Sequence, residues 1–206
     1  LSRLSASCLR PFNIIFCCHQ QVDPVPQQVA RWQQALAPFY AEFGVSTDAV
    51  SNGPSRAPFN AEHAAILAEF NPAVVSFHFG LPAPELLARV KATGAKVFAS
   101  ATTVAEAKWL ARHGADAIIA QGLEAGGHRG HFLNQDLSLQ QGTFTLLPQI
   151  VAVVDLPVIA AGGIVDGKGI KAALALGASA VQMGTAFLCC HEATTSPLHR
   201  AALLGA

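Results

Sequence analysis

"LPVIAAGGIVDGKGIKAALALGASAVQMGTAFL", residues 156–188, decides the fold. A short apolar run, 156–162, ends in Gly162 and Gly163. Asp166 then opens a stretch of helical period that stops at Gly177. A second apolar run, 178–184, closes on Gln182, Met183, Gly184 and Thr185, and a further helix is expected beyond it. A polar cap in front of a periodic stretch and a glycine behind it are the usual helix signals. Both strand-like runs are continuously apolar rather than alternating. That is the pattern of parallel strands buried on both faces.

The same grammar extends upstream. Strands are expected at 12–18, 73–79, 95–101, 115–121, 156–162 and 178–184. Helices are expected at 26–43, 60–70, 82–94, 103–114 and 166–177. Asn60 caps the second of these helices, Thr102 or Thr103 the fourth and Asp166 the fifth. Pro38 should kink or end the first. Repeated βα units leave two architectures, the doubly wound sheet and the (β/α)8 barrel. Polar or glycine-rich chemistry stands at four strand ends: His78, Gln121 onward, Gly162-Gly163 and Gln182–Thr185. A barrel gathers all its strand ends at one mouth, whereas an open sheet concentrates its site at one switch point. The expected fold class is therefore α/β, of the (β/α)8 TIM-barrel type, in a single domain over 1–206. Six parallel strands are legible where a barrel has eight in roughly 250 residues, so the first two βα units are expected to be absent.

Composition narrows the function. Hydrophobic residues make up 51% of the 206, and Lys+Arg equals Asp+Glu at 13 each. No net field would attract a polyanion, so nucleic acid is not an expected partner. No apolar run approaches the ~20 residues that span a bilayer, so no membrane is expected either. Cys8, Cys17, Cys18, Cys189 and Cys190 are odd in number and include two adjacent pairs. That is neither a disulfide framework nor a zinc spacing. It fits free thiols in a reducing compartment such as the cytoplasm. The opening "LSRLSASCLR" is basic, Ser-rich and free of acids, a weak likeness to an organelle (mitochondrial) transit segment, and the favoured reading is the tail of a helix.

Two constellations carry chemistry. The turns after the last two strands, Gly162-Gly163 and Gln182-Met183-Gly184-Thr185, suit a phosphate. Glycines let backbone N–H groups approach an anion, and barrels often hold phosphate after strands seven and eight. The second is "AQGLEAGGHRGHF", 120–132. The Gln121 amide both donates and accepts. Gly126 and Gly127 let the backbone pass close to a flat ligand. His128, at a strand mouth, can take a proton near neutral pH, with Arg129 and Glu124 as its expected supports. His78, at another strand end, can enter the same mouth, and His131 is expected to be solvated. His19, His63, His113, His191 and His199 read as structural or solvated. HxxxH and HxH patterns are absent and carboxylates do not cluster, so no metal site is expected.

These stretches resemble the nitronate monooxygenase family, also called 2-nitropropane dioxygenases. The similarity lies in "RPFNIIFCCHQ", "VVSFHFGLP", "GAKVFASATTVAEAKWLARHGADAIIAQGLEAGGHRG", the opening stretch above and "HEATTSPLHRAAL". The resemblance implies a barrel holding FMN non-covalently. It implies oxidation of alkyl nitronates, and of nitroalkanes, by O2 to a carbonyl compound and nitrite. It implies that Gln121, Gly126 and Gly127 meet the flavin, that Gly162, Gly163 and Gln182–Thr185 hold its phosphate end, that His128 is the base and that His78 lines the substrate side. The family pattern "PFNxNFF" has a flavin-contacting Asn where this chain has Ile15. Two other readings compete. One is an FMN-dependent enoyl-thioester reductase, which would use a nicotinamide donor. The other is a truncated, catalytically inactive relative, which the missing units and Ile15 would favour.

Overall fold

The computed structural model describes residues 10–21, 25–46 and 57–205. Cys8 and the rest of the N-terminal stretch before Arg10 lie outside the described residues. The chain divides into two compact units, Leu1–His19 with Phe59–Ala206, and Gln20–Pro58. The second unit holds helix α1 (Pro26–Glu42). Pro38 does not end this helix, which continues for a further turn. Gln34, whose carbonyl loses its donor, is exposed, so water can serve it.

The first unit alternates strands and helices: β1 (Asn13–Cys17), α2 (Ala61–Phe70), β2 (Val74–His78), α3 (Pro84–Ala92), β3 (Lys96–Ala101), α4 (Val104–Arg112), β4 (Ala117–Gln121), α5 (Thr143–Val151), β5 (Val158–Ala161), α6 (Gly167–Ala175), β6 (Ala180–Gln182), α7 (Thr185–Leu188) and α8 (Pro197–Leu204). The six strands form one sheet in the order β1-β2-β3-β4-β5-β6, and every neighbouring pair is parallel. All six expected strands are present. Asn60, Thr103 and Asp166 cap their helices with side-chain acceptors.

Strand alternation sorts the side chains. Val75, Phe77, Val97, Ala99, Ala101, Ile118, Ala120, Val158 and Ala160 face outward and are buried beneath the helices. Leu67, Val90, Leu110, Leu146, Leu147, Ile150 and Ala173 complete that core from the helix side. The register rows Ile15–Ser76–Phe98–Ala117 and Gln121–Ala161–Gln182 lie on the opposite, inner face. The expectation of burial on both faces holds for the outer face. The inner face is only partly covered: Ser76 and Ser100 are buried, whereas Ile15 on edge strand β1 is 57% exposed.

Helix α5 escapes sequence reading. Its segment TFTLLPQIV contains Pro148, four β-branched residues and Phe144, which together mask the helical period. Packing overrides that weak propensity: Thr143, Leu146, Leu147 and Ile150 are all buried. The helix starts hard against the end of β4. A Cβ at Gly122 would collide with the Thr143 backbone, so Gly122 permits the approach.

Candidate active site

The C-terminal ends of β4, β5 and β6 enclose a cavity of about 480 Å3. Its lining includes four glycines, Gly126, Gly162, Gly163 and Gly184. Gly162 and Gly163 adopt φ of +118° and +66°, where a side chain is strained. They also have close neighbours. A Cβ on Gly162 would stand 2.8 Å from Thr143 Oγ1 and 2.9 Å from the Ala125 nitrogen, and one on Gly163 would stand 3.0 Å from Glu124 Cβ. One on Gly126 would meet Thr185 Oγ1 at 2.9 Å. The β4 loop is thus pressed onto the β5 and β6 turns. At Gly184, by contrast, an added Cβ would meet nothing within 4 Å. The wall there is open backbone, free to meet a ligand.

Helix α6 does not follow Gly163 directly. Ile164–Asp166 intervene, and the Asp166 carboxylate accepts from Gly169 N at 2.8 Å. The α6 N-terminus is therefore capped by the chain's own acid. The cavity wall consists instead of residues 161–165 and 182–186, with the β4 loop opposite.

A second cavity of about 240 Å3 adjoins the first. Gln121, Gly126, Ala161 and Gln182 belong to both walls. Its other lining includes His78, His128, Ser100, Ser76, Cys17 and Ile15. His78 is held at both ring nitrogens. Nε2 lies 3.1 Å from the His128 carbonyl and Nδ1 lies 3.0 Å from Ser100 Oγ. A carbonyl only accepts, so Nε2 carries the hydrogen and Ser100 donates to Nδ1. Burial lowers the His78 pKa and the nearby His128 charge lowers it further, against an opposing contribution from the bond to the His128 backbone. That favours the same neutral ring.

Gln121 clasps the loop. Its Nε2 donates to the His128 carbonyl at 2.9 Å and its Oε1 accepts from Gly130 N at 2.7 Å. Half of the amide's hydrogen-bonding capacity is spent on the loop, and one donor and one lone pair remain for a ligand. The Phe79 ring meets those of His78 and His128 edge-on, with centroids 4.7 and 5.8 Å away. Its φ of +65° is an outlier for a bulky residue, of the kind that collects at functional sites.

The structure thus brings His78, His128, Gln121, Gly126, Gly162, Gly163, Gln182, Met183, Gly184 and Thr185 around two joined cavities. Gly127 lies outside both linings and serves the loop through its φ of +99°. The supports expected for His128 are corrected. Glu124 accepts from Thr143 N and Thr143 Oγ1 at 2.8 and 3.0 Å, capping α5. Desolvation acts to raise its pKa, but hydrogen bonds from its own backbone and from Thr143 outweigh that and hold it below the usual value. Arg129 donates to the Leu123 carbonyl and to Gln140 Oε1. Both residues buttress loop backbone, and the imidazole of His128 is flanked by Phe79 instead. His131 is not simply solvated, since its ring nitrogens lie 3.2 Å from Gln135 Oε1 and 3.3 Å from Gln140 Nε2.

Sequence reading missed Ser100, Thr143 and Glu106. Only Glu106 left a signal, as the fourth residue of a T-x-x-E capping pattern from Thr103. Ile15 sits on the cavity wall beside His78. Asn13 shares that face and accepts from Ser76 Oγ at 2.8 Å. Cys17 and Cys18 point opposite ways, as a strand requires. Cys17 lines the cavity, while burial, aided by Cys17, pushes the Cys18 thiol up to about 12. Cys17, Cys18, Cys189 and Cys190 are all free. His63 completes the α2 cap and His113 stacks on Trp109. Among the described residues no His, Cys, Asp or Glu cluster could hold a metal ion, and no helix is long and apolar enough to cross a membrane.

Six consecutive βα units, with site residues gathered at the carboxyl ends of parallel strands, define a TIM-barrel-type α/β protein. The nitronate monooxygenase family model matches residues 3–206, and the chain belongs to that family. A nitronate monooxygenase of Paraburkholderia phytofirmans is 46% identical over 200 residues, covering 95% of this chain and 54% of the relative. One from Pseudomonas aeruginosa is 42% identical over 204 residues, covering 95% and 56%. Among solved structures, a nitroalkane oxidase from Streptomyces ansochromogenes matches with a TM-score of 0.86 at 37% identity, over 98% of this chain and 57% of that one. FabK from Thermotoga maritima matches at 0.68 and 30% identity, over 100% and 51%. The chain therefore spans about half the length of the curated relatives it matches.

Proposed function

We propose that this chain carries the FMN-binding and base-bearing part of an oxidoreductase that converts alkyl nitronates, and neutral nitroalkanes, with O2 into a carbonyl compound and nitrite. In this reading residues 1–206 belong to one FMN-binding barrel domain, and the four free thiols among the described residues suit a reducing compartment such as the cytoplasm. The observation that carries the proposal is the shared wall. Gln121, Gly126, Ala161 and Gln182 border both the glycine-lined cavity and the cavity containing the two histidines.

The residues fit FMN. Gly162, Gly163, Gln182, Met183, Gly184 and Thr185 would hold the phosphate end, where side chains are withheld and Gly184 leaves backbone open. Gln121 and Gly126 would meet the flavin from the shared wall, with Gly127 allowing the loop its turn. When bound, FMN supplies the electron acceptor for the nitronate and the reactivity toward O2. The chain's own task is proton control and positioning. A neutral nitroalkane carries an acidic hydrogen on the carbon next to nitrogen, and His128 takes it. A nitronate arrives without that hydrogen and does not need His128. Neutral His78 holds the His128 carbonyl and closes the substrate side without adding a charge.

The test is nitrite and carbonyl release from ethyl nitronate and from nitroethane by the FMN-loaded chain, with oxygen uptake followed in parallel. Nitrite in step with oxygen consumption is expected. A flavin-loaded chain that releases no nitrite from either compound would refute the proposal, and bleaching by NADPH would favour the enoyl-thioester reductase.

A further inference from the structure

Glu106 is an acidic side chain in the core that none of the chemistry above uses. It is 1% exposed. Every hydrogen bond it receives comes from a neutral donor. Thr102 N and Thr102 Oγ1 reach Oε2 at 2.8 Å each, Phe132 N reaches Oε1 at 2.7 Å and Leu133 N reaches Oε1 at 3.2 Å. Taking a carboxyl group out of water is expensive, and local needs do not explain it. The T-x-x-E pattern would let Glu106 bond back to the Thr103 N–H in a capping box. It turns instead to Thr102 and to a loop 26 residues further along the chain.

That loop is the one bearing His128. Its near end is fixed by Gln121 and His78, which both donate to the His128 carbonyl. Its middle is fixed at Gly130 by Gln121, and its far end by Glu106. The Phe132 ring also packs beside Gly80, where a Cβ would stand 3.1 Å from it, and edge-on to Trp109 at 5.2 Å. Gly80 follows Phe79, whose ring touches both histidines. One carboxyl group therefore ties the start of α4 to the His128 loop, and the Phe132 ring carries that loop against the β2 turn.

We propose that Glu106 is a positioning residue for proton abstraction, holding the far end of the loop so that His128 keeps its place in the cavity. The proposal rests on the reading of His128 as the base. Glu106→Gln keeps the shape but offers one oxygen where two are used, so it cannot satisfy both pairs of donors.

Amide hydrogen exchange on the chain without cofactor reads the anchor directly. In Glu106→Gln, exchange at Phe132 and Leu133 should speed up on the order of tenfold, the worth of a lost hydrogen bond. The turns at 162–163 and 182–185 should be unchanged. With FMN, kcat on nitroethane should fall by about 10- to 100-fold with little change in KM, because small misplacements of a reacting group act on the chemical step. Turnover of ethyl nitronate should stay near wild type. Unchanged exchange at Phe132 and Leu133 would overturn the proposal, as would equal losses on both substrates. If Glu106→Gln does not fold, Glu106→Asp replaces it. Asp keeps both oxygens but withdraws them from the loop, and the same pattern is expected. If neither folds, Glu106 is a folding element and the proposal fails. His128→Ala separates the two layers. If that variant does not distinguish nitroethane from its nitronate, the base reading falls and the positioning role with it. If it does and Glu106→Gln does not, only the positioning role falls.

Discussion

Gly162→Ala tests whether the glycine-lined cavity is built as described. The backbone at Gly162 has φ of +118°, a region nearly closed to L side chains, and forcing alanine there costs about 1–3 kcal/mol. The new Cβ would also stand 2.9 Å from the Ala125 nitrogen, against an ordinary contact of 3.4 Å, so the β4 loop must retreat by about 0.5 Å. That nitrogen bonds the Gly122 carbonyl, and Thr143 Oγ1 on the other side is bonded to Glu124. Neither neighbour moves freely, and such overpacking costs about 1–3 kcal/mol. The combined loss of about 4 kcal/mol corresponds to a drop in Tm on the order of 10 °C for a chain of this length. Thermal unfolding by circular dichroism measures it, and FMN affinity should fall as the β4 loop shifts. Gly184→Ala is the control. Its Cβ enters open space at an ordinary φ of −119°, so Tm should stay within about 2 °C while FMN binding weakens. A Gly162→Ala variant that melts with the wild type would refute the reasoning, as would a Gly184→Ala variant that melts equally early.

Three further outcomes are expected. His128→Ala should slow turnover of neutral nitroalkanes by about 10²- to 10⁴-fold, the usual worth of a general base, and spare preformed nitronates; steady-state oxygen uptake with both substrates checks it, and equal loss on both contradicts it. Ile15→Asn should tighten FMN binding by adding an amide to the wall shared with His78 and Gln121; fluorescence titration of FMN reads the affinity, and no change would mean that β1 does not border the flavin. His78 is held neutral in the fold, below its ordinary value of 6.5, so as pH falls below that value the unfolded chain takes up the proton first and stability drops until the folded pKa is passed. Denaturant melts across this range should show a flatter acid limb for His78→Gln, and identical limbs would remove His78 from the titration.

Much of the fold was legible because parallel strands leave continuous apolar runs and their helices carry punctuation. Runs such as AVVSFHF and ADAIIAQ could be read with no tertiary information, and so could the caps Asn60, Thr103 and Asp166. Helix α5 could not, because Pro148 and the Thr and Phe residues around it hide a period that only burial of Leu146, Leu147 and Ile150 enforces. Residues at strand ends were found for a related reason: chemistry stands out against an apolar strand, so Gln121, His78 and the paired glycines announced themselves. Their partners did not. Proximity in sequence suggested Glu124 and Arg129 as supports for His128, yet each turns to a segment distant in sequence, α5 and Gln140 respectively. Ser100 reaches His78, 22 residues away in sequence, and Glu106 reaches Phe132, 26 residues away, and nothing local marks such a contact.

The central claim is that the ends of β4, β5 and β6 hold FMN beside His128. The most direct measurement is an absorbance spectrum of the purified chain after FMN addition and desalting, followed by anaerobic addition of a nitronate. Retained flavin bands that bleach with the nitronate are the predicted result. A colourless chain, or bound flavin that the nitronate leaves oxidised, would contradict the claim.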